Sequence, residues 1–251
     1  VQDSVGGMAR RLLNPAHLRD LAGRSVKTLR EQGAEQLWRD VKFRVGLAMH
    51  HDDWRHRADI PLRRELKAQR AAHLQGPKIS IIVPLYNTPA KLFDEMLQSV
   101  VRQTYTNWEL VLVDASDAEK RLERRLPKAV PGTIVYEPIE NGGIALNTTR
   151  GFALTHGEYI TLLDHDDVLY PNALFEVVQT IQNTGADFVY SDEIVLSADL
   201  KELGGYHFKP DFAPDYLRGV NFITHLAVFS RPLLDAAGAY ESKEFDGAQD
   251  H

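Results

Sequence analysis

The sequence predicts an α/β fold: a mostly parallel central sheet flanked by helices, carrying an N-terminal helical extension. Three observations predict it. From residue 79 onward, short apolar runs rich in β-branched residues alternate with helical patterns, the signature of βαβ units. Four of those runs end in polar or acidic residues, and in an open parallel sheet such ends share one edge, where ligands bind. The charge also divides: residues 1–77 hold 15 Lys and Arg against 9 Asp and Glu, a net of +6, and the rest carries −12. Gly76-Pro77 punctuates the chain where the sign changes, so 1–76 is read as a basic helical extension and 77–251 as the main domain.

Within the extension, Leu18, Leu21, Val26, Leu29, Leu37, Val41 and Val45 recur at helical intervals, and Pro15 suits a first turn. A further helix follows Pro61. In the main domain the first strand is ISIIVP, 79–84, followed by a helix over 89–103 with Leu92, Met96 and Val100 on one face. Strands are then expected at 108–114 and 133–137, a helix over 143–156, and a strand at 158–164. A helix over 171–185 and a strand at 186–192 follow. The aromatic-rich stretch 204–217 reads as an ordered loop crossing the site, before a strand at 225–230 and a helix at 231–238. Trp38, Trp54 and Trp108 read as packing residues.

Composition narrows the function classes. There is no cysteine, so disulfides and thiolate metal sites are excluded, and a reducing compartment fits. No apolar run approaches the roughly 20 residues of a membrane span, and VQDSVGG does not read as a signal peptide. The basic residues of the extension are diluted by acids and no nucleic-acid motif appears, so no nucleic-acid partner is expected. A basic helical face that meets anionic membrane lipid is the alternative to simple packing on the main domain.

The strand ends carry the chemistry. The first run leads into Pro84, Tyr86 and Asn87; the second ends at Asp114; the run at 158 ends in Asp164-His165-Asp166-Asp167; the run at 186 ends in Asp192-Glu193. Crowded carboxylates repel and raise one another's pKa, so such a cluster belongs in water or around a cation. Carboxylates recruit Mg2+ or Mn2+, typically shared with substrate phosphates. Asp114, ending the second strand, suits a ribose hydroxyl or a base N–H. Asn141-Gly142-Gly143 opens a helix, where backbone can approach an anion closely. A nucleoside diphosphate is therefore the expected ligand. No Walker loop, GxGxxG or GxSxG is present, which leaves kinase, dehydrogenase and triad-hydrolase readings without their parts.

These motifs in this order, ISIIVPLYNTP, LQSVVRQTYTNWELVLVDASD, NGGI, GEYITLLDHDD, YSDE and the closing GAQDH, resemble an inverting family 2 glycosyltransferase, most of all the O-antigen or rhamnan-type branch of bacterial polysaccharide synthesis. The resemblance covers 79–251 and implies the Rossmann-like GT-A fold. It implies donor-nucleotide contacts at Pro84, Tyr86, Asn87, Asp114, Asn141, Gly143, Arg150 and Asp164. It implies Mn2+ or Mg2+ held by Asp164, Asp166 and Asp167, acceptor contacts at Asp192, Glu193 and His225, and Asp250 as the base that deprotonates the acceptor hydroxyl. The donor would be a UDP- or dTDP-linked sugar and the acceptor a glycan or lipid-linked glycan. The protein would act in the cytoplasm, free or at the inner membrane face. Where family members carry Arg-Asn or Thr-Asn in the helix after NGG, this chain has Thr148-Thr149, with Asn147 and Arg150 beside them. It also ends one residue after Asp250, short of the family's usual acceptor-side helix.

Other readings compete. A nucleotide-sugar-binding or assembly module without turnover fits the same motifs, as does a Ca2+-stabilised structural domain. A sugar nucleotidyltransferase would show a Gly-rich basic loop where VPLYNTPAK stands. His165 is a weak ligand candidate, and His50-His51-Asp52-Asp53 reads as a solvated helix end.

Overall fold

The computed structural model describes residues 63–197, 200 and 203–238. All belong to one compact unit, Pro61–His251. The helices expected before residue 61, the His50–Asp53 stretch, Trp38, Trp54 and Asp250 lie outside the described residues.

The elements run α1 (Arg63–Ala72), β1 (Ile79–Leu85), α2 (Ala90–Val101), β2 (Trp108–Asp114), two 3-10 turns, β3 (Thr133–Pro138), α3 (Ile144–Ala153), β4 (Tyr159–Leu162), α4 (Ala173–Thr184) and β5 (Phe188–Tyr190). Then follow β6 (Glu193–Leu196), β7 (Leu203–His207), α5 (Pro214–Leu217), β8 (Ala227–Ser230) and α6 (Arg231–Ala237). Six strands form one sheet in the order β3-β2-β1-β4-β8-β5. β3, β2, β1 and β4 pair in parallel, and β8 runs antiparallel between β4 and β5. The mostly parallel sheet flanked by helices is the architecture expected from the sequence.

β1 and β2 are strands because both faces are covered, which demands near-continuous apolar runs. On one face Ile79, Ile81, Val83 and Leu85 of β1, with Trp108, Leu110 and Leu112 of β2, pack under α2 and α4. On the other, Ile82, Val111 and Val113 pack with Phe152 of α3 and Ile160 of β4. Trp108 is buried in the first layer, as a packing residue should be. The buried stripe of α2 is Phe93, Met96, Leu97 and Val100, so Leu92, expected on that stripe, sits at its margin. Gly151 lets α3 lie close to the sheet: a Cβ there would stand 2.4 Å from Ile82 Cγ2.

The lower sheet edge is fastened by a buried carboxylate. Glu109 accepts from the Ser80 hydroxyl at 2.6 Å, from Gly157 N–H at 3.0 Å and from His156 N–H. Burial pushes its carboxyl up, but these donors and the His156 ring outweigh it and hold Glu109 below the usual range. α1 is tied to the same body: Gln69 bridges the Thr104 hydroxyl and Glu176, and Arg70 donates to the Arg102 carbonyl.

One expectation is corrected. Residues 203–207 form β7 and pair antiparallel with β6 in a separate two-stranded sheet, and 214–217 form a helical turn, where a loop was expected over 204–217. Gly204-Gly205 are poor strand formers and conceal a strand that its partner stabilises.

Candidate active site

The sheet delivers its polar groups to one edge. β1, β2, β4 and β5 all end there, and the antiparallel β8 begins there. β1 and β2 are in register from Ile79↔Trp108 to Leu85↔Asp114, so the loops after them emerge side by side.

Beyond β1, Pro84 lies within the strand and Tyr86 is exposed. Asn87 adopts a left-handed φ of 50°, a conformation asparagine tolerates better than most residues. Its N–H donates to the Ser116 hydroxyl at 2.8 Å, and its side-chain oxygen accepts from Asp117 N–H at 3.2 Å. Asp114 is fully enclosed. One carboxylate oxygen accepts from Ser116 N–H at 2.9 Å and the other from the Tyr136 hydroxyl at 2.5 Å. Burial and the neighbouring Asp114 push the Tyr136 hydroxyl well up, so it remains a donor. A carboxylate has about four acceptor positions, so these two donors do not saturate Asp114, but at 0% exposure it meets a ligand N–H only if the loop over it shifts. The Thr88 hydroxyl beside this loop is buried without a hydrogen-bond partner among the described residues.

The start of α3 completes that side. Gly143 caps the helix with φ of 98°, a backbone that favours glycine. Asn141 accepts from Gly143 N–H at 3.0 Å and from the Asn147 amide at 3.1 Å, while Asn147 accepts from Gly142 N–H at 3.0 Å. Asn147, buried in the second turn, thus staples the glycine loop to its own helix. Arg150 falls in the last turn, seven residues past Gly143 and about 10 Å along the axis. α3 runs antiparallel to β3 and β4, so Arg150 lies toward the opposite edge from the other candidates.

The acidic corner forms beyond β4. Asp164, Asp167 and His225 each offer one ligand atom, all within 4.8 Å of one another. The His225 Nε2 stands 3.5 Å from Asp164 and 3.9 Å from Asp167. Asp166, expected in the metal set, is exposed and outside that group; His225, expected toward the acceptor, takes part in it. A tight turn, with Asp167 N–H on the Asp164 carbonyl at 3.2 Å, links the two grouped carboxylates. Burial pushes the Asp167 carboxyl up; His225 lowers it, while Asp164, Asp166 and Glu193 raise it further. A divalent cation would relieve that repulsion; the two carboxylates suit Mn2+ or Mg2+, and an imidazole beside them favours Mn2+ over the harder Mg2+.

Asp192 is exposed and Glu193 half-buried, and both are engaged by neighbouring residues. Asp192 accepts from Lys209 N–H at 2.7 Å. Glu193 accepts from the Thr224 hydroxyl at 3.1 and 3.2 Å and pairs with His207 at 2.7 Å. Burial pushes the Glu193 carboxyl up, but His207, Lys209, Thr224 and the His225 backbone N–H prevail and lower it. Sequence reasoning missed Ser116, Tyr136 and Lys209. Only their positions near strand ends or within the aromatic stretch could have flagged them.

A mostly parallel sheet between helical layers, with an acidic corner at its strand ends, defines a GT-A fold. Residues 80–231 match the model of glycosyl transferase family 2, and the chain belongs to that family. It is 41% identical over 184 residues to the uncharacterized protein y4gI of Sinorhizobium fredii, covering 70% of this chain and 20% of that protein. It is 34% identical over 179 residues to the O-antigen biosynthesis protein RfbC of Myxococcus xanthus, covering 70% of this chain and 14% of RfbC. The chain therefore spans a fifth or less of the length of these two relatives. Residues 1–349 of S. aureus TarS share the fold, with a TM-score of 0.55 at 22% identity over 69% of this chain and 52% of that one. The structure of the same TarS fragment in complex with UDP gives a TM-score of 0.53 at 20% identity, again over 69% and 52%. Among the described residues no helix is long and apolar enough to cross a membrane.

Proposed function

We propose that this chain moves a sugar from a UDP- or dTDP-linked donor to a hydroxyl of a glycan or lipid-linked glycan, with inversion, in bacterial surface polysaccharide synthesis. The observation that carries the reading is the meeting of Asp164, Asp167 and His225 at the sheet edge that also bears Asn87, Asp114 and the start of α3. The family membership, the likeness to RfbC and the UDP complex of TarS support it.

In this reading Asp114 accepts an N–H of the base, oriented by Tyr136 and Ser116. Asn87 and Tyr86 border the base and ribose. The N–H groups at the start of α3 face the diphosphate, where a helix N-terminus favours an anion. Asp164 and Asp167, with His225, would hold Mn2+ or Mg2+, which when bound offsets the charge on the diphosphate leaving group. The acceptor oxygen approaches the anomeric carbon opposite the diphosphate and surrenders its proton to a carboxylate, the role proposed for Asp250. A single displacement then inverts the anomeric configuration, by the same logic that governs inverting glycosidases. The chain would act in the cytoplasm, with residues 1–76 free to meet anionic lipid at the inner membrane face.

The test is transfer from radiolabelled UDP- and dTDP-sugars to lipid-linked and soluble glycan acceptors, with the product's anomeric configuration read by NMR. Inverted product from one donor series, lost in Asp250→Asn, supports the reading. Retained configuration contradicts the displacement, and nucleotide binding without transfer to any acceptor favours a binding module.

A further inference from the structure

The corner has a second layer that no motif marks. Lys209 follows β7, and its side chain is only 3% exposed. Its ammonium donates to the carbonyls of Ile223 and His225 and stands 3.7 Å from Glu193 Oε2. Glu193 in turn holds the Thr224 hydroxyl and is paired with His207. Thr224 itself has a φ of 35°, in the left-handed region that a β-branched residue rarely adopts. Glu193 and Lys209 thus grip every residue from 223 to 225, and the last of these carries the imidazole that reaches Asp164 and Asp167.

We propose that Lys209 and Glu193 are positioning residues for His225: a buried ammonium beside a half-buried carboxylate that fixes the 223–225 backbone so that the imidazole completes the cation site with Asp164 and Asp167. This rests on the reading that those three residues hold a divalent cation. Burying a lysine ammonium is costly, and the cost makes sense where the charge sets a geometry that apolar packing would not. Lys209 is suited to that task because carbonyl oxygens have two lone pairs and tolerate a donor from the side, whereas a methionine in the same space would leave both carbonyls unbonded. The β6–β7 hairpin acquires a purpose in the same step. It brings Glu193 and Lys209 together across the start of β8, and Asp192 secures the arrangement by accepting from the Lys209 N–H. The acidic pair expected to face the acceptor therefore acts one layer behind the cation. Residues that orient a metal-binding histidine typically change metal affinity about 10-fold to 100-fold when lost.

The experiment is Mn2+ binding to the full chain with UDP present, read by the loss of the free-ion EPR signal. Electron spin-echo modulation reports whether a nitrogen coordinates the bound ion. Wild type, His225→Ala, Lys209→Met and Glu193→Gln are compared, with near-ultraviolet circular dichroism as the check on folding. The expected result is a nitrogen signature in wild type that disappears in His225→Ala. In Lys209→Met it weakens, with affinity reduced about 10-fold or more. Should Lys209→Met fail to fold, Glu193→Gln, which keeps shape and removes charge, is expected to show the same weakening. A nitrogen signature and affinity unchanged in a folded Lys209→Met or Glu193→Gln variant overturn the positioning role while leaving the cation site intact. Mn2+ bound without nitrogen in wild type overturns it too, because His225 is then not a ligand. No Mn2+ binding in wild type removes the cation reading itself and this proposal with it.

Discussion

At the residue scale the acidic corner carries a carboxylate, Asp167, that the metal-free fold does not favour ionised. Burial pushes the Asp167 carboxyl up; His225 lowers it, but Asp164, Asp166 and Glu193 add to the rise, so the fold penalises its ionised form relative to the unfolded chain. The sign is definite: a raised folded-state value means the metal-free fold gains stability as the pH falls toward that value. Asp167→Asn is therefore expected to raise the melting temperature of the metal-free chain while abolishing Mn2+ binding, as scanning calorimetry with and without Mn2+ would show. Glu109 behaves oppositely, since its donors hold it below the usual range. Its stabilisation is complete above the ordinary carboxylate values and fades as the pH drops through its folded-state value. Glu109→Ala leaves the Ser80, His156 and Gly157 donors without it at a site 2% exposed, and is expected to cost about 3 kcal/mol in urea denaturation at neutral pH. The deficit should shrink toward about pH 3. The sequence made the carboxylates at strand ends legible. It could not show that Glu109 faces inward, because a lone acid in an apolar strand has no pattern of its own.

At the scale of elements, α3 has the narrowest tolerance. It must lie close enough to β1 for its first turn to present the Gly142-Gly143 loop at the sheet edge, and Gly151 permits that approach. Gly151→Ala puts a methyl against Ile82 and is expected to cost about 1–3 kcal/mol, measurable by urea denaturation. It should also weaken UDP binding, because the displaced helix carries the loop with it. β1, α2, β2, β3, α3, α4 and α6 were legible from periodicity and punctuation. β6 and β7 were not, since Gly204-Gly205 mask the strand. Nor was the antiparallel insertion of β8 between β4 and β5, which depends on tertiary pairing. That insertion delivers His225 to Asp164 and Asp167, so the grouping of these three residues could not be read from the acidic motif alone. The family resemblance implied Asp164, Asp166 and Asp167, and in the structure Asp164 and Asp167 are grouped with His225.

At the scale of the molecule, charge and topology divide the work. Residues 1–77 carry +6 and the remainder −12. If the basic segment meets membrane, the chain should co-sediment with vesicles containing anionic lipid at low ionic strength. Release is expected as salt shortens the screening length to about 3 Å near 1 M. Removing 1–60, which keeps α1 on the main body, should weaken the association and leave nucleotide binding in place. Persistence of the association at high salt, or at undiminished strength after that removal, would contradict an electrostatic role for the segment. In the proposed reading the sheet frames a nucleotide, with loops after β1 and β2 on one side of the edge and the β4–β8 corner on the other.

The most direct test of the central claim is calorimetric titration of UDP and dTDP into the chain, with and without Mn2+, beside Asp164→Ala and Asp167→Asn. The account predicts metal-dependent binding of one nucleotide, lost in both variants, with Asp166→Ala affected less than either. Nucleotide binding that is indifferent to Mn2+ and unchanged in those variants would contradict it, and the acidic turn would then be solvated surface rather than the seat of a metal-bridged diphosphate.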